Sequence, residues 1–216
     1  MQEGGTPEGA GHVEEPPASS RGLSIRRHTR SLVCAGVVIG LLALGFGLVS
    51  GNTSSEAWAA ATRMTARVSA VFFLAAFSAS ALARLWRSEA TAVLLRERRG
   101  VGLGFCAAHL VHLVAVIGLG FSGEPPGPVA LIGGTVAYLW LLAMAFTSTD
   151  RALQRLGVRR WRLLHGTGMY YLWGIFALGY LGRVVREDVS VEHALLFTLT
   201  VYAMLLRIYQ RLHGSR

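Results

Sequence analysis

Residues 128–147 read PVALIGGTVAYLWLLAMAFT, twenty positions without one charged side chain. A helix of roughly 20 such residues crosses a bilayer core of about 30 Å, and this one is fenced by polar loops, SGEPPG at 122–127 and STDR at 148–151. Working outward in both directions, the same alternation recurs. Six apolar blocks fall at about 32–50, 66–86, 101–121, 128–147, 163–182 and 191–209 of the 216 residues. The pattern predicts an all-α membrane protein, a six-helix transmembrane bundle lying in the lipid bilayer. The Pro-rich 122–128 connection permits only an antiparallel hairpin of its neighbours. The other loops are short too, which gives an up-down topology.

Composition agrees with this. Apolar residues make up 52% of the chain and charged ones 15%, with a mean hydropathy of +0.45. The net charge of +9 would suit nucleic acid, but the arginines sit in short loops between apolar blocks rather than on one face of a soluble fold, so nucleic acid is excluded as a partner. Their distribution sets an orientation instead. The N-terminal segment, the 2–3 and 4–5 connections and the C-terminal end hold 17 arginines, against four (Arg63, Arg67, Arg183, Arg186) on the other side. Both termini are therefore expected in the cytoplasm, with the chain in a bacterial inner membrane. Residues 1–30, rich in Gly, Pro, Glu and Ser, read as a disordered cytoplasmic tail. Residues 31–210 form the membrane domain, and 211–216 a short cytoplasmic tail. Cys34 and Cys106 read as small core residues. No Gly-rich dinucleotide fingerprint follows a strand, so no flavin or nicotinamide domain is expected on this chain.

Histidines mark the interior. His109 and His112 fall in span 3, three residues apart and so on one helical face; His165 opens span 5 and His193 opens span 6. Ionisable rings at membrane depth face the bundle and serve as haem ligands, as proton relays or as interhelical hydrogen-bonding groups. No carboxylate stands deep in a span, which argues against a small transporter. Glycines crowd the same histidines: Gly100, Gly102 and Gly104 before His109, and Gly166 and Gly168 after His165. Small residues let a flat macrocycle or another helix approach closely.

Two strings carry a family resemblance. One is Arg98-Arg99-Gly-Val-Gly102-Leu103 followed by His112. The other is Ala145-Phe-Thr147-Ser-Thr149-Asp150, then Leu156-Gly157, Arg160-Trp161 and Leu164-His165. Over roughly residues 31–210 the chain resembles the ferric reductase-like transmembrane family, and within it the haem-binding membrane subunits of the MsrQ (YedZ) type. The resemblance implies one haem b per chain and electron transfer across the membrane, from a cytoplasmic flavoprotein or quinone donor to an outer-side redox acceptor. His112 and His165 are the implied metal ligands, with His109 next and His193 as a further candidate. Members usually carry another span 5 histidine thirteen residues on; here that position is Leu178, which motivates the alternative of a cofactor-free scaffold derived from the family. Depth supplies a second motive. His112 lies roughly 20 Å along its helix from Arg99, His109 roughly 15 Å, and His165 about 5 Å from Arg162. His193 lies roughly 21 Å from Arg207, which would allow it to face His112 instead. The arginines of the 4–5 connection (Arg151, Arg155, Arg159, Arg160, Arg162) are expected to set topology and to be available to a donor protein or haem propionates. Tyr170, Tyr171, Trp173 and Tyr180 are expected to be packing aromatics.

Overall fold

A computed structural model describes residues 18–185 and 190–213, with side chains from His28 onward. Six helices follow one another: α1 (Ala18–Val49), α2 (Ser54–Leu85), α3 (Glu89–Phe121), α4 (Pro128–Phe146), α5 (Asp150–Val184) and α6 (Val191–His213). Among the described residues there is no strand. The disordered tail expected for 1–30 falls largely on residues outside those described, and α1 begins at Ala18, so the part from 18 onward is helical. Residues 214–216 of the expected C-terminal tail also lie outside.

The helices outrun the apolar spans because their polar ends are capped. Thr53 accepts a hydrogen bond from the Glu56 backbone N–H while the Glu56 carboxylate accepts from the Asn52 N–H. Ser88 and Thr91 close a capping box at the start of α3, and Thr149 caps α5 through the Ala152 N–H. These bonds satisfy N–H groups that a helix end otherwise leaves orphaned.

Five of the six helices are long and apolar enough to cross a membrane. The exception is α5. Its first half is a run of arginines and its second half trades aliphatic residues for Tyr170, Tyr171, Trp173, Tyr180 and glycine. Two of those rings bond neighbouring helices: Tyr171 donates to the Gly133 carbonyl at 3.1 Å and Trp173 to the Thr200 carbonyl at 2.9 Å. They are packing groups, as expected.

α1, α2 and α3 pack tightly on one another, α4 packs on α5, and α6 closes the ring against α5 and α2. The α1–α3 contact rests on Gly36, where an added Cβ would collide with the backbone of Gly104. The centre is aromatic. Phe73 and Phe77 of α2, Phe105 of α3 and Phe176 of α5 are all buried, and Phe73 stacks on Phe176 at 5.0 Å between centroids. Cys106 belongs to this core, but Cys34 is exposed on the outer face of α1, contrary to the expectation of two buried thiols.

Two ion pairs tie opposite ends of the bundle. Arg99, about three turns into α3, joins Asp150 at the start of α5 at 2.9 Å. Arg67 and Glu192 join α2 to the start of α6.

Candidate functional site

A cavity of about 420 Å³ opens at the arginine-rich end of the bundle. Its walls come from α2 to α6. Arg98, Arg99, Gly102, Phe105 and Cys106 come from α3, Leu141 and Met144 from α4, Arg162, His165, Gly166 and Met169 from α5, and Arg207 from α6. Where Gly102 and Gly166 line it, a Cβ would meet nothing within 4 Å, so the cavity continues over both backbones. Gly168, two residues on along α5, has no such room, because Met144 sulfur packs against it.

His165 is the histidine in the wall. Its ring is clasped from two sides: Thr147 Oγ1 lies 3.0 Å from Nε2, and the Trp161 indole stacks on the ring at 4.1 Å between centroids. Trp161 also donates its N–H to the Thr147 carbonyl at 3.0 Å, closing the clasp. The signature residues Thr147, Trp161 and His165, scattered over nineteen positions in the sequence, are therefore one structural unit.

His109 and His112 do not line the cavity. His109 stands one turn beyond its wall, with its ring against Phe105 (5.2 Å), Tyr138 (4.9 Å) and His112 (5.1 Å). Its Nδ1 is buried and has no hydrogen-bond partner among the described residues. Tyr138 pins this part of α3 by donating to the His109 carbonyl at 3.0 Å. His112, two turns beyond the wall, meets Thr65 Oγ1 through Nδ1 at 3.0 Å. His165 and the α3 pair thus sit at different levels, as the spacing from the flanking arginines indicates. His193 is held by Ser190, the residue just before α6 (2.7 Å), beside the Arg67–Glu192 pair. Leu178 is 68% exposed, so that position points away from the bundle interior.

Of the 4–5 arginines only Arg162 reaches the cavity, while Arg151, Arg155, Arg159 and Arg160 are exposed. Sequence reasoning passed over Arg98, Arg99 and Arg207 as site residues. Arg207 carried the available signal, an arginine inside an apolar span. Its guanidinium lies 4.3 Å over the Phe77 ring and 5.2 Å over Tyr170. Among the described residues no three His, Cys, Asp or Glu side chains gather to hold a metal ion by themselves.

The comparisons with known proteins bear on this arrangement. The chain is 30% identical over 158 residues to the haem-binding subunit MsrQ of the protein-methionine-sulfoxide reductase of Salmonella arizonae, a match that covers 64% of this chain and 75% of that protein. The chain belongs to the MsrQ family. The MsrQ of Salmonella newport is 28% identical over 175 residues, 71% of this chain and 84% of the relative. The MsrQ of Enterobacter is 33% identical over 132 residues, 51% of this chain; there the match spans less than two thirds of the relative, 62% of its length. No family model matches the chain, and no solved structure does. Family membership and the five apolar helices together make this a multi-pass membrane protein.

The residues at the cavity fit a haem. A flat macrocycle needs an imidazole beside a slot, room over the neighbouring backbone and cations for its carboxylates. His165, the open faces of Gly102 and Gly166, and Arg98, Arg162 and Arg207 meet those needs in one place. A second imidazole is not part of the cavity lining, since Phe105 and Cys106 form the α3 wall and His109 lies behind Phe105.

Proposed function

We propose that this chain is a membrane electron-transfer subunit that holds one haem b in the arginine-lined cavity. Electrons would come from a cytoplasmic-side flavoprotein or quinone donor and pass to an acceptor on the outer side. The observation that carries the proposal is the cavity itself, with His165 in its wall, two glycines opening it and arginines at its mouth. His165 would be the ligand from α5, and the α3 histidines His112 and His109, which stand behind the Phe105–Cys106 wall, are the candidates for a second nitrogen. A haem bound there provides one-electron chemistry at iron, tuned by its axial ligands and by hydrogen bonding around them. Arg98, Arg162 and Arg207 would hold the propionates by charge-assisted hydrogen bonds. Arg99 already shares its charge with Asp150 and contributes chiefly by fixing α3 against α5 at the mouth. Phe105, Leu141, Met144 and Met169 keep the interior dry, which fixes the dielectric around the iron site.

The test is an absorption spectrum of detergent-purified protein, air-oxidised and then dithionite-reduced. A Soret band that sharpens and shifts on reduction, lost in His165→Ala protein that still inserts, is the expected result. A flat spectrum from haem-replete cells would overturn the proposal in favour of a cofactor-free scaffold, the reading that the depth difference between His112 and His165 favours.

A further inference from the structure

Two threonines on different helices meet two histidines in the same way. Thr147, at the C-terminal cap of α4, sets its hydroxyl 3.0 Å from His165 Nε2. Thr65, fully buried in α2, sets its hydroxyl 3.0 Å from His112 Nδ1. A hydroxyl owns one proton and two lone pairs. In both places the proton is committed to the threonine's own helix: Thr147 donates to the Ala143 carbonyl at 2.7 Å and Thr65 to the Ala61 carbonyl at 2.8 Å. This bond to the carbonyl four residues back is a common habit of threonine in helices. A hydroxyl whose proton is spent only accepts, so the ring nitrogen facing it carries the hydrogen. A neutral imidazole has a single N–H. The other nitrogen is bare in each ring, Nδ1 in His165 and Nε2 in His112.

We infer that Thr147 and Thr65 are positioning residues that hold His165 and His112 each in one tautomer; in His165, which lines the cavity, this keeps one nitrogen bare for the iron of a haem. The use made of that bare nitrogen rests on the proposed function above; the tautomers themselves do not. Metal-bound histidines generally give their remaining N–H to a fixed acceptor, which sets ring orientation and raises basicity. At His165 the orientation is doubly determined, because Trp161 stacks on the ring and bonds the same threonine. His109 provides the contrast inside the same bundle. Its Nδ1 meets no threonine and no other partner among the described residues. The structure therefore separates two backed histidines from an unbacked one, and the backed pair are those of the family-like strings.

The experiment uses protein labelled with nitrogen-15 histidine, haem-free in micelles at mildly alkaline pH, where neutral imidazoles report their tautomer through the ring nitrogen shifts. His→Gln variants assign the signals. We expect His165 protonated at Nε2 alone and His112 at Nδ1 alone. Thr147→Val should convert only the His165 signal to a tautomer mixture, Thr65→Val only that of His112, and the serine variants should restore the wild-type pattern. The opposite tautomer in wild type, or signals indifferent to both valine variants, overturns the inference. In haem-loaded protein, Thr147→Val should weaken haem binding by about 10-fold or more, with Thr147→Ser restoring it. Wild type that takes up no haem yet keeps both tautomers would sink the cofactor proposal and leave the positioning roles standing. Haem uptake with unchanged nitrogen shifts and affinity in Thr147→Val would do the reverse.

Discussion

Burying a polar side chain in this bundle means accounting for each of its hydrogen bonds, and the histidines settle that account in different ways. His165 and His112 each lean on a threonine, whereas His109 is wrapped in rings and leaves Nδ1 without a partner. Trp161 holds its place at the cavity through two contacts that substitution can separate. Trp161→Phe keeps a ring over His165 but removes the N–H donated to the Thr147 carbonyl, so unfolding in detergent should show a loss of about 1 kcal/mol. Trp161→Ala should cost more, since the stacked surface goes too. If the phenylalanine variant proves as damaging as alanine, the hydrogen bond and not the stack is what holds His165. At this scale the sequence exposed the participants without their connections. Thr147, Trp161 and His165 stood out as a string, but nothing in their spacing says that the first and last touch; that follows from how the short α4–α5 connection folds back. Arg98 and Arg207 were less legible, because an arginine at the end of an apolar run reads first as a topology signal.

Helix identity and order were plain in the hydropathy pattern, but helix ends were not. α2 begins at Ser54 and α3 at Glu89, each about a dozen residues ahead of the expected apolar block. The added turns are polar, and capping side chains hold them rather than lipid. α5 departs furthest from expectation, since it contains a break that no hydropathy window detects. Gly157 sits at φ 73° and ψ 154°, a backbone region essentially confined to glycine. The short segment before it, with Arg151 and Arg155, therefore meets the longer segment that carries Arg162 and His165 at an angle. Gly157→Ala should destabilise the protein by about 1–3 kcal/mol, measurable as a lower midpoint in thermal unfolding. An unchanged midpoint would mean the break is not needed. A second element-level prediction concerns α1. Gly36→Val places a side chain into the Gly104 backbone and should detach α1 from α3, read as protease sensitivity of α1 in a protein whose other helices stay intact.

For the molecule as a whole, the arginine asymmetry and the cavity lie at the same end, the end of the 2–3 and 4–5 connections. Reporter fusions at both termini should accordingly behave as cytoplasmic, fluorescent with a green fluorescent protein and inactive with alkaline phosphatase. An active phosphatase fusion at either end would invert the bundle and put the cavity on the outer face. With one histidine in a single cavity wall and Leu178 turned outward, haem content should not exceed one per chain; two would require a ligand set other than the one assigned. The cavity also has a birth order. Arg207, one of its walls, belongs to α6, the last of the six described helices to be synthesised. The cavity stays open on that side until α6 emerges from the insertion machinery and docks against α5 and α2. A haem bound as proposed would be retained only once α6 is in place, and a chain cut before residue 207 would leave a vestibule unable to hold it.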